Sequence, residues 1–113
     1  MNNSKPLTFI GFAIKARKVR CGVGAISTLK GKVPLLIICS TASDNTFDEA
    51  VKLSKKLCSK LLVATNVKVE DVVFKDNCKL IAISDVALAK AIIDNIDCHF
   101  TEYSGGYGNE YRK

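Results

Sequence analysis

The chain has 113 residues, 48% hydrophobic and 25% charged, with 17 Lys or Arg against 11 Asp or Glu and a net charge of +6. That length supports one core and little more. The longest apolar stretch, Val33 to Cys39, is far too short to span a bilayer, and the N-terminus lacks the hydrophobic run of a signal peptide, so a cytoplasmic protein with no membrane partner is expected.

The first predicted element is a helix. Pro6 suits an opening helical turn, Leu7, Ile10, Ala13 and Ile14 then share one face, and Lys15, Arg17 and Lys18 crowd the C-terminal end, where cations suit the helix dipole. Gly22 and Gly24 interrupt the pattern. A short second helix is expected over Ala25 to Lys30, with Gly31 as its left-handed cap. Leu35 to Cys39 is a continuous apolar run, the mark of a strand covered on both faces.

Ser43-Asp44-Asn45 supplies capping side chains for a third helix, in which Phe47, Ala50, Val51, Ser54, Leu57 and Cys58 recur at helical spacing. Leu61 to Ala64 and Leu80 to Ile83 read as further buried strands, and Ser84-Asp85 opens a last helix running to about Ile96. Val67 to Phe74 is ambiguous: its β-branched residues favour a strand, whereas Glu70 and Asp71 break the alternation. Strands alternating with helices imply an α/β layered fold with a partly parallel sheet. The domain is expected over residues 1–98. Residues 99–113 form a Gly/Tyr-rich tail, read as flexible from Phe100 onward, whose Tyr103, Tyr107 and Tyr111 either stack on unpaired bases or belong to a plain extension.

Charge is distributed unevenly along this pattern. Met1 to Lys32 holds seven cations (Lys5, Lys15, Arg17, Lys18, Arg20, Lys30, Lys32) and no carboxylate, while the other 81 residues carry ten basic and eleven acidic side chains. A block of one sign attracts a polyanion more than it stabilises a fold, which makes nucleic acid the first partner to consider. The competing reading is a solvated helix face.

Five cysteines (Cys21, Cys39, Cys58, Cys78, Cys98) and a lone His99 show no CxxC pair and no clustering, which argues against a disulfide framework and a zinc site. Cys39 and Cys58 lie in apolar patterns and read as small core residues. Cys21 sits beside Arg20, but no second histidine or other base accompanies it, so a catalytic thiol is not expected. The chain has no Ser-His-Asp set, no GxxxxGK and no convincing carboxylate pair. A small α/β enzyme is therefore the weakest of the available readings, and no cofactor is implied.

Several strings resemble one family. Gly11-Phe12-Ala13-Ile14-Lys15-Ala16-Arg17-Lys18-Val19-Arg20-Cys21-Gly22 resembles the opening of bacterial YlxQ-type proteins, relatives of the archaeal ribosomal protein L-seven-Ae. Gly31-Lys32, then Leu35 through Thr46, is similar to the family's central strand, loop and Ser-x-Asn-Thr helix start. Lys75-Asp76, Ala82-Ile83-Ser84-Asp85 and Ala89-Lys90-Ala91-Ile92 are similar to its last strand and helix, so the resemblance spans about residues 7 to 96 in order.

The resemblance implies a three-layer α-β-α sandwich with a mixed sheet of about four strands. It also implies a monomeric, non-enzymatic protein that binds structured RNA, either kink-turns with tandem sheared G·A pairs or ribosomal RNA, with the ribosome itself a further partner. Three loops at one end of the sheet would carry the contact: Lys18 through Ala25, Ser40 through Ser43, and Lys75 through Cys78. The residues so implied, with the neighbouring cations, are Lys15, Lys18, Arg20, Gly22, Val23, Gly24, Lys32, Ser40, Thr41, Ala42, Lys75 and Asn77. Kink-turn binders carry a Gly-x-Asn-Glu or Gly-Glu-Glu segment whose polar side chains reach guanine edges. Here the stretch reads Cys21-Gly22-Val23-Gly24-Ala25, where Val23 offers nothing to a guanine donor, so base readout is weakened while phosphate attraction remains. The family's glycine after the first helix is Arg17 in this chain, and another before Lys75 is Phe74. The alternative is a ribosome-associated or protein interaction module of the same fold that has lost kink-turn readout.

Overall fold

An apolar strand flanked by strands on both sides must be covered on both of its faces, and the architecture follows from that requirement. A computed structural model describes residues 5–64, 79–96 and 100–102. The elements run α1 (Lys5–Lys15), β1 (Val19–Cys21), α2 (Val23–Ser27), β2 (Leu35–Cys39), α3 (Asp44–Lys56), β3 (Lys60–Ala64), β4 (Leu80–Ile83), α4 (Val86–Asp94) and β5 (Phe100–Glu102). The sheet order is β1-β4-β2-β3-β5; β2 and β3 are parallel, joined across α3, and the other pairings are antiparallel.

Side-chain alternation divides the core into two. Leu35, Ile37 and Cys39 of β2, with Leu62, Ala64, Ile81 and Ile83, pack under Ile10 and Ala13 of α1 and Ala89 and Ile92 of α4. Leu36 and Ile38, with Leu61, Val63, Leu80 and Ala82, pack under Ile26 of α2 and Phe47, Ala50 and Leu53 of α3. The result is a three-layer α-β-α sandwich on a mixed sheet. All five residues of β2 are fully buried, and each large aliphatic side chain among them contributes about 1.5–3 kcal/mol by leaving water.

Among the described residues the sheet has five strands where about four were expected. β1 and β5 are three-residue edge strands, too short to show a period of two in sequence. Short edges also limit unwanted strand addition. Phe100, read from the sequence as part of a flexible tail, is buried and pairs with Ala64, so Phe100–Glu102 belongs to the sheet. The expectations for Val67 to Phe74, for Lys75 and Asn77, for Cys78, Cys98 and His99, and for the three tyrosines fall outside the described residues.

Helix ends explain the remaining differences. α2 starts at Val23, ahead of the expected Ala25, because Gly22 with φ +88° turns the chain into it, and the Ser27 and Thr28 hydroxyls donate back to the Gly24 and Ala25 carbonyls as it stops. Gly31 has φ +80° but lies beyond that end and does not cap it. α3 begins as the sequence indicates, with the Ser43 hydroxyl accepting from the Thr46 amide, and Asp85 does the same for the Leu88 amide of α4. α4 ends at Asp94, short of Ile96, with the Asn95 side chain donating to the Ala91 carbonyl.

α1 and α3 finish identically. The Lys18 amide bonds to the Ala13 carbonyl and the Arg17 amide to Ile14, and the Ser59 amide bonds to Ser54 and the Cys58 amide to Lys55. Both are Schellman motifs, in which the residue past the helix takes a left-handed backbone. Arg17 (φ 60°) and Cys58 (φ 54°) occupy those positions. Cys58 is therefore exposed, correcting its assignment to the core; Cys39 is buried as expected.

Candidate nucleic-acid interface

The sheet register decides which of the expected contact residues meet. β2 finishes at Cys39, whose amide bonds to the Lys79 carbonyl, while the Gly22 amide bonds to the Leu80 carbonyl at the far end of β1. The turn that launches α2 and the Ser40–Ser43 turn that launches α3 are thus at one end of the sheet, separated there by β4. Gly22, Val23, Gly24, Ser40, Thr41 and Ala42 are brought to this end. Ser40 donates its amide to Ala64, Ala42 its amide to Cys39, and the Lys79 ammonium lies 3.0 Å from the Thr41 hydroxyl.

Within this glycine end the side chains divide by exposure. Val23 is half-buried and packs, with Ala42, against the α2–α3 core. Gly24 and Ala25 are more exposed than Val23 at this turn. A Cβ built on Gly24 meets nothing within 4 Å, so the protein's own packing gives no reason for a glycine there. Gly22 differs, because its φ of +88° disfavours any side chain.

The cations do not join this end. Lys18 precedes β1 beside Ser84, whose amide and hydroxyl both bond to the Lys18 carbonyl, and Val19 pairs with Ile83, which in turn pairs with Leu35 at the start of β2. Lys15 closes α1 just before it, and Lys32 precedes Val33, whose amide bonds to Leu57 past the end of α3. Lys15, Lys18 and Lys32 therefore lie at the end where β2 starts, opposite the glycine turns. Arg20 is exposed midway along β1, paired with Ala82. Lys75 and Asn77 lie outside the described residues.

Sequence reasoning missed what else gathers at this second end. Lys55 and Lys56 close α3 there, Lys56 donating to the Ser27 carbonyl at 3.1 Å, and Lys60 opens β3. With Arg17 and Lys30, eight exposed cations share the end where β2 starts. Among the described residues the carboxylates at this end are Asp85, which caps α4, and Glu102, which pairs with Lys60. The Lys55-Lys56 pair was visible in the sequence; only strand order and direction reveal that it joins the α1–β1 turn.

Other chemistry is sparse among the described residues. Cys21 is half-buried against the α1–α4 core rather than displayed. No group of His, Cys, Asp and Glu there could hold a metal ion, and no helix is long and apolar enough to cross a membrane.

No protein-family model matches the chain, and no curated protein matches it. Among solved structures it is similar to one from Bacillus halodurans C, described as the structure of a protein with unknown function, with a TM-score of 0.67 and 21% identity over 81% of this chain and 96% of that one. At that identity the likeness is one of fold alone.

Proposed function

We propose that this chain is a non-enzymatic RNA-binding protein acting on structured RNA of the kink-turn or ribosomal kind. The observation that carries this reading is the acid-free block Met1 to Lys32, whose cations remain solvent-exposed in the fold at Lys15, Arg17, Lys18, Arg20, Lys30 and Lys32. Exposed cations without carboxylate partners release counterions when they meet phosphate, the main source of affinity for nucleic acid. The family resemblance points the same way.

A second reading, a ribosome-associated or protein interaction module without kink-turn readout, is favoured by one feature. The exposed tip of the α2 turn is Gly24-Ala25, which has no side-chain donor or acceptor for a base edge.

Binding to a kink-turn RNA and to a duplex of equal length, across a salt series, separates the two. Preference for the kink-turn, reduced in the Lys18→Ala/Arg20→Ala variant, is the expected result. Equal and steeply salt-dependent binding to both RNAs leaves phosphate attraction alone, and absence of binding moves the function to protein interaction.

A further inference from the structure

We infer that RNA phosphate is gripped at the end of the sheet where β2 starts, by a basic face assembled from three helix C-termini and the turns beyond them, and not at the glycine turns. This inference rests on the RNA-binding reading above and assigns its surface.

The face is built by topology. α1, α2 and α3 all run toward this end and deliver Arg17 and Lys18, then Lys30 and Lys32, then Lys55 and Lys56. The strand order places β1 three positions from β3, so at about 4.8 Å per strand the cations spread over roughly 14 Å along the sheet, with α1 on one face and α2 and α3 on the other. Among the described residues none of these six forms an ion pair with a carboxylate; the ion pairs there are Lys60–Glu102 and Lys52–Glu49.

A simpler explanation is that cations settle at helix C-termini because the dipole favours them. It accounts for Lys55 and Lys56, in the last turn of α3. It does not account for Lys30 and Lys32, which lie beyond the end of α2, nor for Arg17, which accepts a left-handed backbone at a position that suits glycine. Repeated placement of uncompensated charge on one face creates a potential that captures a polyanion.

The face suits a phosphodiester backbone better than a protein. A protein interface centres on apolar or aromatic anchors, and the exposed large hydrophobics among the described residues are two, Phe12 on α1 and Val86 at the start of α4, against six exposed cations on this face. Point charges on flexible stems, separated by exposed backbone turns, match an array of phosphates whose sequence is not read.

The test compares Lys18→Gln/Lys32→Gln with Lys5→Gln/Lys90→Gln in the full-length protein. Both remove two charges from exposed positions, and thermal unfolding checks that each variant folds. Binding to a 16-base-pair RNA duplex is measured between 50 and 300 mM salt. The expected result is a salt slope lowered by about two and an affinity lowered about tenfold or more for the first variant, with little change for the second. Equal losses in both variants would reduce the effect to net charge and overturn the inference while leaving RNA binding intact. A wild-type protein that binds no RNA overturns the RNA-binding reading itself, and this inference with it.

Discussion

The two ends of the sheet are built from the same strands but use opposite chemistry. Where β2 finishes, the chain turns on small residues, Gly22, Gly24, Ser40 and Ala42: Ser43 caps α3, Ser40 and Ala42 bond through their amides and Thr41 meets Lys79, while the first turn of α2 has no side-chain cap. Where β2 starts, the turns carry long cations at positions where a smaller residue would serve the backbone as well or better. On the proposed RNA-binding reading, charge kept at Arg17 in spite of backbone preference marks the end that RNA phosphate meets.

The severest test of that contrast removes what connects the ends. Ile37 is fully buried at the centre of β2, and Ile37→Ala is expected to cost about 2–5 kcal/mol, read as a lower denaturant midpoint with an unchanged slope. Loss of RNA binding in step with unfolding would show that the basic face exists only through the strand order. Retention of binding by the unfolded chain would mean that loose cations suffice, and the contrast would fail.

Next comes the capping of α3. Ser43→Ala removes the acceptor of the Thr46 amide and is expected to cost about 1 kcal/mol without altering the salt slope of RNA binding. A change in that slope would bring the Ser40–Ser43 turn back into the interface.

The basic end allows a sharper experiment, because stability and charge oppose each other there. Arg17→Gly relieves a left-handed residue and is expected to raise stability by about 0.5–1 kcal/mol, yet weaken duplex binding by removing a cation. Cys58→Gly gains a similar amount at the matching position of α3 and leaves binding unchanged. A variant pair that moved stability and binding together would argue that Arg17 is there for packing.

The sequence was most legible where elements are long and apolar. β2, β4 and the start of α3 stand at the expected residues, because a five-residue buried run or an N-cap serine followed by a helical period has few other solutions. β1, β5 and the start of α2 were missed because each is fixed by tertiary pairing or by one glycine dihedral. The site was legible in composition but not in location. Residues 1–32 carry the charge, yet Gly22 and Lys18 are close in sequence and lie at opposite ends of β1, since three extended residues span about 10 Å. Val23 illustrates a second limit: with helical periodicity obscured by two glycines, nothing in the chain signalled that it faces the core while Gly24 and Ala25 face out.

Gly24 offers the smallest effect and the most discriminating one. It is exposed inside α2, its added Cβ meets nothing within 4 Å, and its backbone φ is not positive, so Gly24→Ala is expected to stabilise the protein by about 0.5–1 kcal/mol through helix propensity alone. If RNA rests on the basic end, a methyl group on the opposite end is invisible to it, and binding to the duplex and to the kink-turn stays unchanged. If RNA instead approaches the α2 turn closely enough to need bare backbone, the same methyl group holds it away, and affinity falls while stability rises. Only in that second case would glycine at this position compensate for the missing polar side chains, and the glycine turns would then be a working surface rather than the structural end of the sheet.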